Sequence, residues 1–273
     1  MREILSTVRS VWIWSSVVIL ILLWLPLLAL IRLFDRDPVH YRTGRWFRRL
    51  GRAMTNVNPA WRIHISGEHI TDPRRPYVVV SNHQSLADIP ILSNLPWEMK
   101  WIGKAELFRL PIIGWMMKLA GDIPVDRQDR RSGAKMLMIV NKHLQQKCSV
   151  IFFPEGTRSP DGRVGRFNDG AFAMAMKAKA AIMPIAVEGS YACLPKKSWK
   201  FGKPADVYVK VLPPVETAGP DPNSPALLRE KVRQMIIAQV AEWRGVSPES
   251  IDATTVTPTP HNPRQQPSAA KPG

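Results

Sequence analysis

The sequence predicts an α/β fold, a sheet covered by helices, carrying an N-terminal membrane-embedded helical anchor. Three observations predict it. A long uncharged apolar run opens the chain, and short β-branched runs then alternate with helical stretches. From Ser247 the composition turns to Pro, Thr, Ser and Gln with few large apolar residues, which predicts a disordered tail. The boundaries that follow are an anchor over 1–57, a catalytic-sized domain over 58–246 and a tail over 247–273.

No residue from Ser10 to Ile31 is charged. At helical rise that run reaches roughly 30 Å, about one hydrocarbon core. It leads into Ile31-Arg32-Leu33-Phe34-Asp35 with no small-residue cleavage site, so it reads as a retained anchor. Pro26 leaves two geometries open, a full span and a re-entrant hairpin in one leaflet. Next, a helical wheel puts Arg42, Arg45, Arg48, Arg49 and Arg52 on one side and Trp46, Phe47, Leu50, Met54 and Val57 on the other, an interfacial helix. The basic flank is heavier after the apolar run, which places the domain on the cytoplasmic face, as at a bacterial inner membrane.

A net charge of +16 and a pI near 10.3 call for an acidic partner. Nucleic acid is excluded as the expectation, because the arginines cluster beside the anchor and no nucleic-acid motif accompanies them. Anionic membrane lipids fit that placement. Cys148 and Cys193 stand outside any CxxC or Cys/His cluster, so neither a disulfide framework nor a metal site is expected.

Strands are predicted over Trp61–Ser66, Tyr77–Ser81, Met99–Gly103, Ser149–Phe153, Ile182–Val187 and Val207–Leu212. Helices are predicted over Pro111–Ala120, Ser132–Gln146, Asp169–Lys179 and Ala226–Trp243. Pro184 has no N–H to give a ladder and is expected at a sheet edge or a strand start.

The run Tyr77-Val-Val-Val-Ser-Asn-His83-Gln-Ser-Leu-Ala-Asp88 ends a hydrophobic strand in a histidine followed five residues later by a carboxylate. If Ser85 begins a helix, its first turn returns Asp88 to the imidazole, fixing the tautomer and freeing the other nitrogen as a base. That is a triad without its serine, suited to a substrate that brings its own hydroxyl. Oxyanion donors are expected among backbone N–H groups near the end of the His83 strand. The bland reading of His83 alone is a structural loop histidine.

A second strand ends in Phe153-Pro154-Glu155-Gly156-Thr157-Arg158. The glycine permits close approach, the threonine offers a hydroxyl, and the arginine offers a fork of donors suited to a phosphomonoester. The alternative is a surface turn with Glu155 paired to Arg158. Lys104 and Arg127 stand next to element boundaries and are expected to add charge to the same anion site.

Asn82-His83 through Asp88, Gly121 through Arg127, Phe153 through Ser159, and the Pro184 strand follow one another in an order that resembles the four-block pattern of the lysophosphatidic acid acyltransferase family. The resemblance covers roughly Trp61 to Leu212 and departs from the usual pattern at Pro124, where an aromatic is common. It implies a glycerolipid acyltransferase-like fold with His83 and Asp88 as the catalytic pair. It further implies an acceptor site made by Glu155, Gly156, Thr157 and Arg158, with Arg127 and Lys104 assisting. The implied substrates are lysophosphatidic acid and an acyl thioester, acyl-CoA or acyl-carrier protein, with no cofactor. A lyso-aminolipid acyltransferase and a membrane-tethered thioesterase are the competing expectations.

Overall fold

The computed structural model describes residues 2–126, 128–194, 198–217 and 225–255. The chain opens with α1 (Arg2–Phe34) and α2 (Tyr41–Asn56) and enters the sheet through β1 (Trp61–Gly67) and β2 (Tyr77–Ser81). There follow α3 (Asp88–Leu92), β3 (Met99–Lys104), α4 (Ile113–Leu119), β4 (Ile123–Val125), α5 (Arg130–Gln145) and β5 (Ser149–Phe152). The remaining elements are α6 (Gly170–Ala178), β6 (Ala181–Glu188), β7 (Ala205–Val211), α7 (Pro225–Arg244) and α8 (Pro248–Ile251).

Seven strands form one sheet in the order β1-β7-β6-β2-β5-β3-β4, parallel except for the antiparallel β6–β7 pair. Parallel strands covered on both faces read as continuous apolar runs, and all five residues of β2 are buried. Their pleat sorts them: Val78 and Val80 join the core under α5, α6 and α7, while Tyr77 and Val79 join the opposite core with Ile91, Leu92 and Trp97.

All six predicted strands and four predicted helices form, within two residues at most ends. β4, α3 and α8 are too short for their periodicity to show in the sequence. Pro184 departs from expectation, since it sits inside β6 with β2 on one side, in register with Val80. The fold tolerates it because the β7 ladder begins only at Ile185. Pro184 contributes just its carbonyl there, accepting the Leu212 N–H at 2.9 Å.

α1 runs through Pro26 without a break, so no re-entrant turn interrupts it. α2 folds back on it, with the Trp24 indole donating to the Trp46 carbonyl at 2.8 Å. Leu28, Leu50 and Met116 form the core shared by α1, α2 and α4. The first half of α1 also docks on the domain: Trp14 donates to the Trp199 carbonyl at 2.8 Å, Arg9 donates to the Phe201 carbonyl at 3.2 Å, and the Ser10 hydroxyl accepts the Phe201 N–H at 3.0 Å. The opposite side stays bare and apolar, with Leu5, Trp12, Ile19, Leu23 and Phe34 all more than half exposed.

The arginine stripe of α2 needs one correction. Arg42, Arg49 and Arg52 are exposed and Arg45 is half-buried, but Arg48 turns inward to pair with Asp122 and approaches Glu98 at 3.7 Å. Glu98 in turn holds the fully buried Lys100 at 3.0 Å, and burial raises the Glu98 carboxyl above its ordinary value. Two cations and two anions thus close a balanced buried cluster, a device that fixes how α2 sits on β3 more than it adds stability.

The tail is corrected too. Residues 248–255 are packed rather than structureless: α8 follows Ser247, and Asp252 pairs with Arg233 of α7, with Val164 bridging to Asp252. The rest of the expected tail, 256–273, lies outside the described residues.

Candidate active site

The ends of β2, β5 and β3 lie side by side in the sheet, and each carries part of the site at its carboxyl end, where open parallel sheets place ligand sites. After β2, the residues Asn82–Ala87 wrap around the Asp88 carboxylate. Its Oδ2 accepts the N–H groups of Gln84 at 2.8 Å and Ser85 at 3.0 Å, and the His83 Nδ1–H at 2.7 Å. The expected pair forms, but by a loop closing on the carboxylate, since the helix starts at Asp88 and not at Ser85. Asp88 is fully buried, and the His83 ring stacks on Phe153 with centroids 4.1 Å apart. With Nδ1 committed, Nε2 is the nitrogen free to act on a substrate.

The turn after β5 divides its labour. Gly156 adopts a left-handed φ of 74°, and its N–H closes the turn on the Phe153 carbonyl at 3.0 Å. Thr157 and Arg158 line the cavity that holds His83, as does Lys104 at the end of β3. This cavity has a volume of about 470 Å³, and Leu50, Met54, Ile113 and Met117 supply apolar walls. Neither Arg158 nor Lys104 has an ion pair among the described residues, so the surface-turn pairing of Glu155 with Arg158 is absent.

Glu155 is corrected from a substrate contact to an internal brace. One of its carboxylate oxygens accepts the His83 N–H at 2.8 Å and the other the Gly165 N–H at 3.0 Å. Burial pushes its carboxyl up to about 7 against those two hydrogen bonds, which lower it. Arg233 continues the brace by donating to the Gly165 carbonyl at 2.8 Å. Arg127 lies outside the described residues.

The expected oxyanion donors also need correction. The N–H groups of His83, Gln84 and Ser85 are all spent on Glu155 and Asp88. The Ser159 N–H is spent on the His83 carbonyl at 2.7 Å.

Sequence reasoning missed Gln84, Glu188 and Arg244. Gln84 donates to Glu188 at 2.8 Å, and Arg244 at the end of α7 donates to the same oxygen at 2.8 Å. Nothing in the spacing of residues 84, 188 and 244 foretells their meeting. Phe153 was visible as the aromatic before the turn, but its stacking on His83 follows only from β5 lying beside β2.

A histidine–carboxylate pair facing a cavity with unpaired cations, on a helix-covered parallel sheet, defines an acyltransferase domain, and the acyltransferase family pattern matches residues 62–188. The chain is 32% identical over 193 residues to a 1-acyl-sn-glycerol-3-phosphate acyltransferase of Pseudomonas aeruginosa, covering 69% of this chain and 73% of that protein. It belongs to the 1-acyl-sn-glycerol-3-phosphate acyltransferase family. It is also 35% identical over 208 residues to a chloroplastic 1-acyl-sn-glycerol-3-phosphate acyltransferase of Arabidopsis thaliana, covering 76% of this chain and 57% of that protein. The chain thus spans little more than half the length of such plastid relatives. The crystal structure of the 1-acyl-sn-glycerophosphate (LPA) acyltransferase PlsC from Thermotoga maritima matches with a TM-score of 0.77 at 25% identity, covering 90% of this chain and 99% of that one.

Proposed function

We propose that the chain transfers an acyl group from acyl-CoA or acyl-carrier protein to the sn-2 hydroxyl of 1-acyl-glycerol-3-phosphate, giving phosphatidic acid at the cytoplasmic membrane face. The observation that carries this reading is the shared cavity, in which a histidine hydrogen-bonded to a carboxylate stands with Arg158 and Lys104, which no carboxylate among the described residues pairs. Such cations suit the phosphomonoester of lysophosphatidic acid and have no evident use for a neutral acceptor.

In this reaction His83 Nε2 takes the proton of the acceptor hydroxyl as its oxygen attacks the thioester carbonyl. Asp88 orients the ring and stabilises the imidazolium. The tetrahedral intermediate collapses, the C–S bond breaks, and the imidazolium returns the proton to the thiolate. General-base help accounts for about 10² to 10⁴-fold, so positioning of the acceptor by Arg158, Thr157 and Lys104 supplies much of the remainder. The N–H groups of Thr157 and Arg158, unspent among the described residues, are the donors that this turn can offer the oxyanion. The reaction needs no cofactor.

The bare side of α1 is the membrane contact. Because both halves of α1 dock on the domain, we place this helix flat in one leaflet and not across the bilayer. Probes on cysteines introduced at Leu5 and Leu22 should then be quenched equally by shallow nitroxide lipids; a spanning helix would put position 22 deepest.

The function is tested by giving the purified chain lysophosphatidic acid and lyso-aminolipids in parallel, each with labelled acyl-CoA and labelled acyl-carrier protein. Labelled phosphatidic acid is expected. Labelled aminolipid alone, or free fatty acid alone, would replace this reading with the corresponding alternative.

A further inference from the structure

The loop over residues 82–87 has no regular structure, yet it delivers two N–H groups to one carboxylate oxygen. Asp88 Oδ2 takes three hydrogen bonds, from His83 Nδ1 and from the Gln84 and Ser85 N–H groups, while Oδ1 is buried without a partner among the described residues. Burying a carboxylate is tolerated where donors are held on it, so whatever fixes residues 84 and 85 also fixes the pairing with His83. Asn82 secures the start of the loop by exchanging hydrogen bonds with the Val187 backbone at 2.8 and 2.9 Å. The Ser85 hydroxyl reaches the Leu194 carbonyl only at 3.3 Å. Gln84 is the firm hold between them.

The Gln84 side chain is buried, and its Nε2 donates to Glu188 at 2.8 Å and to the Gly162 carbonyl at 3.1 Å. Arg244 Nη2 donates to the same Glu188 oxygen at 2.8 Å and to the same Gly162 carbonyl at 2.7 Å. Two donors far apart in sequence thus share one pair of acceptors. An amide suits position 84, because it offers two N–H groups to two acceptors and brings no charge against Glu188. Arg244 is the last residue of α7, the end of a helix that favours a cation, and its bond to Glu188 is charge-assisted. Gln84, Glu188 and Arg244 all stand outside the residues that line the cavity holding His83. Their influence on the reaction therefore runs through the loop and not through contact with substrate.

We propose that Gln84, Glu188 and Arg244 are positioning residues that hold the loop over residues 82–87 so that its N–H groups stay on Asp88 and Asp88 stays on His83. By this route α7 braces the base from outside the cavity. The brace is separate from Glu155, which holds the His83 N–H. The proposal rests on the reading of His83 as the base of acyl transfer.

The test has two arms, both on the full-length chain in detergent, well below the melting temperature of each variant. The first follows transfer of a labelled acyl group to lysophosphatidic acid by Gln84→Met, Glu188→Ala and Arg244→Ala. Each should lower kcat about 10 to 100-fold with acceptor KM changing little. Glu188→Gln keeps an oxygen that can accept both donors and should recover most of what Glu188→Ala loses. Added methylguanidinium should restore part of the kcat of Arg244→Ala, since the Arg244 side chain is only partly buried. The second arm follows the His83 Nδ1–H proton by nuclear magnetic resonance of protein carrying isotope-labelled histidine, the signal being assigned by its loss in His83→Ala. In the wild type it should lie far downfield and exchange slowly with water, and in the three variants it should broaden or vanish. The proposal is overturned if folded Gln84→Met and Arg244→Ala keep the wild-type kcat, or if the loss falls on acceptor KM instead. It is equally overturned if the Nδ1–H signal is absent from the wild type or the same in all the proteins. A wild type that forms no phosphatidic acid would instead end the acyl-transfer reading, and the second arm would still decide whether these residues position His83.

Discussion

Glu155 accepts the backbone N–H of His83 at 2.8 Å, so the turn that carries Arg158 also holds His83, the proposed base, in place. The second oxygen of Glu155 reaches Gly165, whose carbonyl is held by Arg233, and Arg233 is paired with Asp252. His83, Glu155, Gly165, Arg233 and Asp252 are thereby joined in one hydrogen-bonded series that ends in the C-terminal segment.

Glu155→Gln presents an amide NH₂ to one of two N–H groups that need an acceptor. An unmet buried group costs about 1 to 3 kcal/mol, so kcat is expected to fall about 10 to 100-fold with acceptor KM changing little. A matching rise in acceptor KM would instead return Glu155 to the substrate. Titration adds a second check. The folded-state value of about 7 lies above the ordinary 4.5, so the folded chain binds an extra proton between those values. Wild-type stability relative to Glu155→Gln should therefore fall as pH rises from about 4.5 to about 7 and then level off. Melting temperatures of the two proteins across that range measure it, and a constant difference would contradict it.

On the proposed acceptor site, Arg158→Ala removes a charge-assisted contact to a partly desolvated phosphate. A loss of roughly 2 to 4 kcal/mol, about 30 to 1000-fold in kcat/KM for the acceptor, is expected, with Arg158→Lys intermediate. Lys104→Ala, at a more exposed position, should cost less, about tenfold. Steady-state kinetics with each substrate varied decides this, and a change confined to donor KM would place Arg158 elsewhere.

Ending the chain after Val246 removes α8, the buried Ile251 and Asp252, and leaves Arg233 with Glu230 at 3.2 Å as its remaining carboxylate. Losing the buried Ile251 side chain costs about 2 to 3 kcal/mol, to which the lost Asp252 contact adds. The melting temperature should drop by roughly 6 °C or more relative to a chain ending after Thr255. Equal melting temperatures would make the docking of residues 248–255 irrelevant to stability.

How much was legible in the sequence depended on how local each signal was. The uncharged run became α1 and the apolar run before His83 became β2, because an uncharged stretch and a continuous β-branched run are both written in consecutive residues. The His83–Asp88 pairing was legible because five residues are close enough to meet in one loop. Glu155 was misread because its partners, the His83 and Gly165 N–H groups, reach it only once β2 and β5 are neighbours. Arg48 was misread for a similar reason, since a helical wheel cannot see Asp122 waiting on the far side of β3. The segment after Ser247 looked structureless by composition, yet one apolar side chain, Ile251, enters the core, Asp252 meets Arg233 and Val164 bridges to the segment, contacts that composition does not show.

The most direct measurement is transfer of a labelled acyl group from thioester to lysophosphatidic acid by folded His83→Ala, Asp88→Asn and the double variant, with product separated as phosphatidic acid. A base and the group that orients it act as one unit. His83→Ala should abolish transfer, Asp88→Asn should lower it by several orders of magnitude, and the double variant should lose little more than His83→Ala alone. Phosphatidic acid formed at near wild-type rate by folded His83→Ala would contradict the assignment of His83 as the base.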